Sequence, residues 1–429
     1  MKVLYLVPQP KRPDRLGAYS FLDEEIEALA AAGVQAYVLS TVAPVDTERR
    51  RVRVISAAAR RSIATRVGAA AFLGRYLRSV PSANIWHPLK LYRPARTEHL
   101  AAAVVRLERI DLIHSHFGWP QGFGGLIAKA ATGVPLVATL RGTDILLDRS
   151  IGYGRRSEAC FDRAIRRLLG VADRTVYFSN YMRDRAIALG ARPGSARLIR
   201  KGVDLTHFTV AADRVALRRE LGLGMRPMIL TVAGLIPRKG VHYILHALGR
   251  LAGVVDFSFV ICGDGPERER LEQLTAQLGL THSVVFMGHV DRKTIPKYFA
   301  ACDVFVLASI VEAAGNVLFE AMSAGRPVVC TDSGGPQEYI RDGETGYVVP
   351  VGDVDALAAR VHQLLADPAL QDRLGSEARR VTVGEFEYAR MVTDVIEVYR
   401  ELVQRGVPVI SERARAARSR SAMASREIP

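Results

Sequence analysis

Two successive series of short apolar segments, separated by segments with helical spacing, constrain the fold more than any other feature of this sequence. Each apolar segment is hydrophobic along its whole length, as in a parallel sheet covered by helices on both faces. The predicted strands are 3–7, 34–40, 112–116, 135–140 and 175–179 in the first series, and 228–234, 257–263, 283–288, 303–309 and 326–332 in the second. The sequence therefore predicts an α/β protein with two doubly wound, Rossmann-like domains, whose ligands bind beyond the carboxyl ends of the strands.

The chain has 429 residues, which is enough for two such domains and a terminal helix. We predict an N-terminal domain over 1–207 and a C-terminal domain over 208–385. A long helix over 386–405 follows, and we expect it to pack back toward the N-terminal domain. The tail over 406–429 is rich in Arg, Ser and Ala, a composition typical of disordered segments.

The positive charge is concentrated in the first half of the chain. Residues 1–210 contain 33 of the 59 Lys and Arg residues but only 17 of the 44 Asp and Glu residues. Such an imbalance indicates an anionic partner, although a generally arginine-rich composition is the simpler alternative. In the basic, apolar segment 56–80 the arginines do not gather on one helix face, so a partly buried helix fits at least as well as a membrane-surface helix.

Only the net charge supports nucleic-acid binding as a function, because the sequence contains no recognisable nucleic-acid-binding module.

The cysteines and the N-terminus bear on the compartment. The four cysteines are scattered without a CxxC pair, which predicts reduced core thiols and no disulfide or zinc framework. No signal-peptide pattern and no run of 18 apolar residues is present. We therefore expect a cytoplasmic protein, with peripheral contact at the inner face of the cytoplasmic membrane left open.

The segment 233–245, AGLIPRKGVHYIL, has the pattern of a phosphate site. A strand ends at Gly234, a helix begins near Gly240, and Arg238 and Lys239 lie in the short loop between them. The helix N-terminus offers free N–H groups and the positive end of the helix dipole, and the two cations add to its attraction for an anion. A solvated basic turn is the simpler interpretation of this loop taken alone.

A second helix start follows the strand at 303–309, at the same edge of the sheet. Gly315 and Asn316 open this helix, and its first N–H groups come from Asn316, Val317 and Leu318. Apolar side chains can occupy these positions because the backbone, and not the side chain, would bind the anion.

Two carboxylates flank this helix start: Glu312 in the preceding loop and Glu320 one turn inside the helix. A carboxylate can accept two hydrogen bonds from neighbouring hydroxyls. A pair of them around a diphosphate site therefore indicates a ligand with hydroxyls at both ends, which is a sugar nucleotide. For either glutamate alone, an acid favoured by the helix dipole or an exposed loop acid is the simpler alternative.

These motifs resemble those of the family 4 retaining glycosyltransferases, which have the GT-B fold. The resemblance is close over roughly 220–385 and rests on the segments AGLIPRKG, FVICGDGP, VEAAGNVLFEAMSAG, AGRPVV and DSGGPQEYIRDGETGYVV. It is looser in the N-terminal half, through DLIHSHFG, ATLRGTD and RKGVD, and is nearest to members that build exopolysaccharides on lipid carriers. It implies two domains that face each other across a cleft, with the donor bound by the C-terminal domain and the acceptor by the N-terminal one.

The resemblance also implies roles for the matching residues. Arg238 and Lys239 would neutralise the donor diphosphate, Glu312 would contact the transferred sugar, and Glu320 would hold the ribose. His116 would contact the sugar near its reacting carbon, unless it is a satisfied strand-end histidine. The implied catalytic residues are His116, Arg238, Lys239 and Glu312; the other implied donor-binding residues are Gly234, Asp264, Pro266, Gly288, Val290, Gly315, Asn316, Val317, Leu318 and Glu320; the implied acceptor-binding residues are Gly17, Tyr19, Arg141 and Asp144.

Two departures from the family pattern and one simpler alternative qualify these roles. The first loop, PQPKRPDRLGAYSF, has only Gly17 where many members have paired glycines. Arg141 stands where the family often has the histidine of His-Gly-x-Asp, and an arginine suits a phosphate or carboxylate better than a proton relay. Asp144 could also serve only as a helix N-cap. Nothing in the sequence reads as a metal-binding Asp-x-Asp motif, so we expect protein cations to neutralise the donor phosphates, with no cofactor and no metal. The resemblance implies UDP or GDP as the donor nucleotide.

The resemblance thus implies a metal-independent, retaining hexosyltransferase that acts in exopolysaccharide or cell-surface polysaccharide synthesis. Its acceptor would be anionic, such as a polyprenyl-diphosphate-linked sugar at a membrane surface. A non-catalytic sugar-nucleotide-binding protein and a transferase for a small soluble acceptor are the alternatives. A nicotinamide-dependent oxidoreductase would need GxGxxG after the first strand, where PQPKRPDRLG stands. The pair Glu312 and Glu320 argues against an epimerase or a phosphorylase.

Overall fold

The structure is a computed structural model that describes residues 1–8, 20–40, 43–57, 100–209 and 213–405. The strands are β1 (Lys2–Leu6), β2 (Gln35–Ser40), β3 (Thr47–Arg49), β4 (Val52–Ser56), β5 (Leu112–His116), β6 (Leu136–Thr139), β7 (Arg174–Tyr177), β8 (Ala196–Leu198), β9 (Met228–Val232), β10 (Ser258–Cys262), β11 (Val284–Gly288), β12 (Val304–Leu307), β13 (Val328–Thr331) and β14 (Gly346–Val349). The helices are α1 (Ser20–Ala31), α2 (100–108), α3 (Phe123–Thr132), α4 (Ala159–Val171), α5 (Asn180–Ala188), α6 (Leu205–Phe208), α7 (Arg214–Glu220), α8 (Val241–Leu251), α9 (Arg268–Gln277), α10 (Ile295–Ala301), α11 (Asn316–Ser323), α12 (Val354–Ala366), α13 (Pro368–Glu385) and α14 (Tyr388–Arg405).

The N-terminal sheet has eight strands in the order β3-β4-β2-β1-β5-β6-β7-β8, and the described pairs are parallel except for β3 with β4. The strand order reverses between β1 and β5, which lie side by side. In a doubly wound sheet the crevice for ligands lies beyond the carboxyl ends of the strands at such a reversal. His116 ends β5 there, and Arg141 follows the neighbouring strand β6.

The C-terminal sheet has six strands in the order β11-β10-β9-β12-β13-β14. Its reversal lies between β9 and β12, which pair in parallel. The loop with Arg238 and Lys239 follows β9, and the loop with Glu312 follows β12. The topology of the sheet therefore brings the two sequence motifs to one place, beyond the carboxyl ends of adjacent strands.

The predicted α/β class with two doubly wound domains is confirmed, and all ten predicted strands are present. The four strands that the sequence did not indicate lie next to a sheet edge or at it: β3, β4, β8 and β14. β3 and β8 have three residues each, and β14 follows a turn-rich stretch, so these three have no long apolar signature. In β4 the exposed Arg53 interrupts the apolar residues. Gly33 has φ +96° just after α1, a conformation typical of the residue that ends a helix.

The last helix, α14, packs on the N-terminal sheet. The hydroxyl of Tyr399 lies 2.5 Å from Nδ1 of His114 on β5 and 3.3 Å from the hydroxyl of Tyr5 on β1. Glu401 accepts hydrogen bonds from Arg174 at 3.0 Å and from Arg197 at 3.2 Å. α14 therefore follows the C-terminal domain in sequence but contributes to the core of the N-terminal one.

Several predicted features lie outside the described residues: Gly17, Tyr19, most of the basic segment 56–80, and the tail 406–429. In the part of the chain that the structure describes, no helix is both long and apolar enough to cross a bilayer. The four cysteines are free, and three of them are buried.

Candidate active site

The loop after β9 is fixed against the loop after β12. Pro237–Lys239 forms a single 3₁₀ turn, and Gly240 follows with φ +60°. A Cβ on Gly240 would lie 1.9 Å from the carbonyl oxygen of Ala308, so only glycine allows this approach. The N–H of Ile310 donates to the carbonyl of Arg238 at 2.7 Å.

These contacts bring the carboxylate of Glu312 between two cations. Its Oε2 accepts from Nη1 of Arg238 at 3.0 Å and from Nζ of Lys239, and its Oε1 accepts from the N–H of Ala313 at 3.1 Å. Burial raises the pKa of Glu312, but Lys239 and Arg238 outweigh burial and bring it down to about 2. Burial also lowers the pKa of Lys239, an effect that Glu312 opposes. One carboxylate faces two cations, so the group retains a positive charge that favours an anionic ligand.

The start of α11 adds backbone donors to this group. Gly315 precedes the helix with φ +77°, and no side chain caps it. The N–H of Leu318 donates to the carbonyl of Gly315 at 2.9 Å, so this predicted donor is already engaged. Within the described chain, the N–H groups of Asn316 and Val317 donate no backbone hydrogen bond, and no side chain caps this helix start. Two helix-start amides, rather than the predicted three, are available to a ligand.

Glu320 is buried inside α11 and is paired with an arginine that the sequence motifs did not indicate. Its Oε1 accepts from Nη1 of Arg292 at 2.6 Å, while Nη2 of Arg292 donates to Glu24 of the N-terminal domain at 3.2 Å. Burial raises the pKa of Glu320, and Arg292 opposes this rise. The predicted ribose-binding acid is therefore connected to the opposite domain through Arg292.

Five further residues of the implied donor site lie just beyond or at the ends of β9, β10 and β11. The N–H of Leu235 donates to the carbonyl of Asp264 at 2.9 Å, and a Cβ on Gly265 would lie 2.4 Å from the carbonyl of Leu235. Gly234, Asp264 and Pro266 are exposed, Gly288 is buried, and Val290 is half-buried against the core. The close approach of the two loops explains why glycine occurs in this stretch, and the structure brings these residues to one edge of the sheet.

On the N-terminal side, His116 and Arg141 lie in contact. Nη2 of Arg141 lies 2.8 Å from Nδ1 of His116 and donates to Glu25 of α1 at 2.6 Å. Burial lowers the pKa of His116 well below its usual value, and His114 and Arg141 lower it further. Arg141, predicted to bind the acceptor, is therefore already paired with a buried carboxylate. Neither Glu25 nor this pairing was indicated by the sequence motifs.

Asp144 is also fully buried, and burial raises its pKa to about 6, against the effect of backbone N–H groups such as that of Gly118. Next to it, Gly142 has φ +123°, and a Cβ there would lie 3.0 Å from the hydroxyl of Tyr153 and 3.2 Å from Cβ of Ala313. The guanidinium of Arg238 lies 5.0 Å from the centre of the Tyr153 ring. The loop that follows β6 thus lies directly against the Glu312 loop of the other domain.

Two further contacts join the domains along the cleft. The carboxylate of Glu338 accepts from the N–H groups of Asn180 at 2.7 Å and Tyr181 at 2.6 Å, so it caps α5 of the opposite domain. The hydroxyl of Ser179 donates to the carbonyl of Ala313 at 2.7 Å. No three His, Cys, Asp or Glu side chains of the described segments are grouped so that they could hold a metal ion.

Comparison with known proteins identifies this arrangement. A family model described as glycosyl transferases group 1 matches residues 213–381, and one described as glycosyltransferase family 4 matches residues 17–207. A GDP-mannose-dependent alpha-(1-6)-phosphatidylinositol monomannoside mannosyltransferase of Mycolicibacterium smegmatis is 31% identical over 314 residues, which cover 70% of this chain and 80% of that protein. The chain is a family 4 glycosyltransferase. The predicted family is thereby confirmed.

Other relatives cover almost the whole of this glycosyltransferase. A D-inositol 3-phosphate glycosyltransferase of Salinispora arenicola is 29% identical over 95% of both chains. Among solved structures, HepE of Anabaena in complex with UDP has a TM-score of 0.72 at 22% identity, covering 94% of this chain and 100% of that one. The sucrose-phosphate synthase of Thermosynechococcus elongatus has a TM-score of 0.77 at 23% identity, covering 95% and 100%. The predicted GT-B fold is confirmed.

Proposed function

We propose that this glycosyltransferase moves a hexose from a nucleoside-diphosphate sugar to a hydroxyl of an anionic acceptor, with retention of configuration and without a metal ion. The observation that carries the proposal is the cluster of Arg238, Lys239 and Glu312 beside the free N–H groups at the start of α11. Two cations and two amides suit a diphosphate, and the carboxylate between them suits a sugar hydroxyl.

In this proposal Arg238 and Lys239 stabilise the negative charge that develops on the leaving diphosphate as the glycosidic bond breaks. They do so from fixed positions, because Glu312 and the carbonyl of Val311 already hold the guanidinium of Arg238. The oxygen of the leaving phosphate takes the proton of the acceptor hydroxyl on the same face of the sugar, so no carboxylate nucleophile is required. The contact of His116 with the sugar belongs to the same proposal.

The relatives support UDP or GDP as the nucleotide. The mycobacterial relative is named as GDP-mannose-dependent, and the HepE structure contains UDP. The two alternatives differ in the base, which would lie near Asp264, Pro266 and Val290. Measured affinity for the two nucleotides decides between them.

The acceptor is proposed to be a lipid-linked glycan, such as a polyprenyl-diphosphate-linked sugar, in exopolysaccharide or cell-surface polysaccharide synthesis at the inner membrane face. The relative with phosphatidylinositol monomannoside in its name and the excess of basic residues in 1–210 support an anionic lipid acceptor. A small soluble anionic acceptor is the second candidate, because a relative that matches 95% of the chain is named for D-inositol 3-phosphate.

The donor site is tested by thermal unfolding with UDP, GDP, ADP and their sugar conjugates. At a ligand concentration 100 times Kd, binding stabilises the folded state by about 2.7 kcal/mol. This raises the Tm by roughly 5 to 10 °C if the C-terminal domain unfolds on its own, and by roughly 3 °C if the whole chain unfolds as one unit. Lys239→Ala should lose at least half of this shift. The control Lys297→Ala, at a half-exposed lysine paired with Glu220 on the outside of the same domain, should retain it. A full panel without any shift in the wild-type protein would contradict the proposed donor.

Turnover is tested with the donor so identified, anionic lipid vesicles carrying a polyprenyl-diphosphate sugar, and inositol phosphate as the soluble alternative. The product should keep the anomeric configuration of the donor by NMR, and EDTA should leave the rate unchanged. An inverted product, or a rate that EDTA abolishes, would overturn the corresponding part of the proposal.

A further inference from the structure

A buried hydrogen-bonded chain of an ion pair and an imidazole runs from α1 to the end of β5. It consists of Glu25, Arg141 and His116. Nη2 of Arg141 lies 2.6 Å from the carboxylate of Glu25 and 2.8 Å from Nδ1 of His116. The side chains of Glu25 and Arg141 are 2% and 6% exposed, and His116 is fully buried. A buried ion pair adds little net stability to a fold, so its position beside an imidazole is consistent with a role other than stabilising the fold.

The direction of these hydrogen bonds is determined by chemistry. An arginine guanidinium is always charged and only donates. One hydrogen of Nη2 is directed to Glu25 and the other to His116. Nδ1 of His116 must therefore be the acceptor, and the proton of the neutral ring must be on Nε2.

Nε2 of His116 is buried and has no hydrogen-bond partner among the described residues. The neighbouring His114 differs, because its Nδ1 meets Tyr399 at 2.5 Å and its Nε2 meets Thr139 at 2.8 Å. The two rings are 4.2 Å apart between centroids, so burial alone does not account for the difference. A buried N–H donor without a partner is unfavourable until an acceptor arrives.

Other groups keep Arg141 in place. The rings of Phe21 and Phe178 lie 4.9 and 5.1 Å from its guanidinium carbon. Nζ of Lys201, which is 5% exposed, lies 3.8 Å from Glu25 and holds the carboxylate from its other side. The charged and titratable groups that face His116 in the described structure are His114, Tyr5, Arg141, Lys201 and Glu25.

We propose that Glu25 and Arg141 are positioning residues that hold His116 as the neutral tautomer with its proton on Nε2, which donates a hydrogen bond to an oxygen of the substrate in the cleft. His116 then acts as a fixed neutral donor and does not accept a proton during the reaction. Arg141 serves the imidazole rather than an acceptor phosphate. The substrate-facing part rests on the proposed function, whereas the tautomer does not.

The tautomer is measured directly by long-range ¹⁵N–¹H NMR of the full-length protein labelled at its ten histidines. His116→Gln identifies the signals of His116. We expect an unprotonated Nδ1 and a protonated Nε2 that persist from about pH 5 to about pH 8, the range in which an ordinary histidine titrates. A proton on Nδ1, or conversion to imidazolium within this range, would overturn the proposal, whatever the variants do.

Arg141→Met removes the donor while keeping an unbranched side chain, so the Nδ1–H tautomer or the imidazolium should become populated. Glu25→Gln should have a smaller effect in the same direction. The control Arg174→Met removes another buried arginine, paired with Glu401 away from the cleft, and should leave His116 unchanged. An unchanged tautomer in Arg141→Met, or equal changes in the control, would show that this chain does not act on His116. Because the measurement needs no turnover, its failure is distinguishable from failure of the proposed function.

Discussion

At the scale of single residues, the two domains use the same combination of charges. Glu312 lies between Arg238 and Lys239 in the C-terminal domain, and Glu25 lies between Arg141 and Lys201 in the N-terminal domain. In each case one buried carboxylate holds two cations, and the remaining positive charge is not matched by another carboxylate of the group. Removing such a carboxylate would leave two buried cations without a partner, which is strongly destabilising.

The buried histidines predict a specific loss of stability in acid. Burial lowers the pKa of His114 to about 3 and that of His116 below its usual value, so both are neutral in the folded protein and take up protons only on unfolding. Their contribution to the free energy of unfolding is complete above about pH 6.5, which is the pKa of a histidine in the unfolded chain. It is lost as the pH falls below that value, at up to about 1.4 kcal/mol per pH unit for each ring.

Urea unfolding at pH 7 and pH 5 measures this effect. The difference in the free energy of unfolding between the two pH values should be smaller in His116→Gln than in the wild-type protein. His282→Gln, at an exposed histidine, should keep the wild-type difference. A His116→Gln protein with the full pH dependence would contradict a neutral, buried His116.

At the scale of elements, tight glycine turns connect the loops of the proposed donor site. Gly240 joins the turn of Arg238 and Lys239 to α8, and its Cα approaches the backbone of Ala308 too closely for any side chain. Gly335 approaches the carbonyl oxygen of Ala313 in the same way, since a Cβ on Gly335 would lie 1.9 Å from that oxygen. The geometry around Glu312 thus depends on backbone contacts as much as on ion pairs.

Gly240→Ala should therefore destabilise the protein and weaken donor binding together. Its matched control is Gly253→Ala, which has φ +77° but open space around the added methyl group. In the control, backbone strain alone should lower the free energy of unfolding by about 1 kcal/mol. Gly240→Ala should lower the free energy of unfolding in urea clearly more, because the Ala308 backbone must move. It should also reduce the nucleotide-induced rise in Tm. Equal losses of unfolding free energy in both variants would show that the close approach of Gly240 to Ala308 does not contribute to stability.

The sequence predicted those parts of the site that depend on local structure. The helix starts at 240 and 315, the flanking acids and the loop glycines could all be located, because a turn or a helix start needs particular residues at fixed spacing. Arg292 and Tyr153 could not, because their contacts with Glu24 and Arg238 arise only when the two domains face each other. Glu25 and Lys201 could not, because they approach Arg141 only once distant segments of the N-terminal domain pack together. The engaged N–H of Leu318 was missed for a related reason, since a single turn of tightened helix leaves no trace in the residue types.

At the scale of the whole molecule, the cleft is bounded by contacts in which one domain completes an element of the other. Glu338 caps α5, Ser179 bonds the Glu312 loop, and Arg292 joins Glu320 to Glu24. Domain closure in such enzymes limits access of water to the reacting groups. These polar contacts therefore add to the apolar packing that holds the two domains in the described arrangement.

Glu338→Ala should change the arrangement of the domains, not only the stability of α5. Loss of a helix cap costs about 1 kcal/mol. The control Asp367→Ala removes a cap within one domain, on α13, and should have a similar cost. Only Glu338→Ala should increase the radius of gyration in small-angle X-ray scattering. Identical scattering of the two variants would show that this cap does not hold the domains together.

The return of α14 to the N-terminal sheet has a consequence for recombination between members of the family. An exchange of C-terminal domains by a single crossover at the boundary between the two domains would carry a foreign α14 into the other parent's N-terminal domain. Tyr399 and Glu401 of one parent would then face His114, Arg174 and Arg197 of the other. The segments that must come from the same parent are thus discontinuous in the sequence, and a hybrid that keeps these contacts needs a second crossover between α13 and α14.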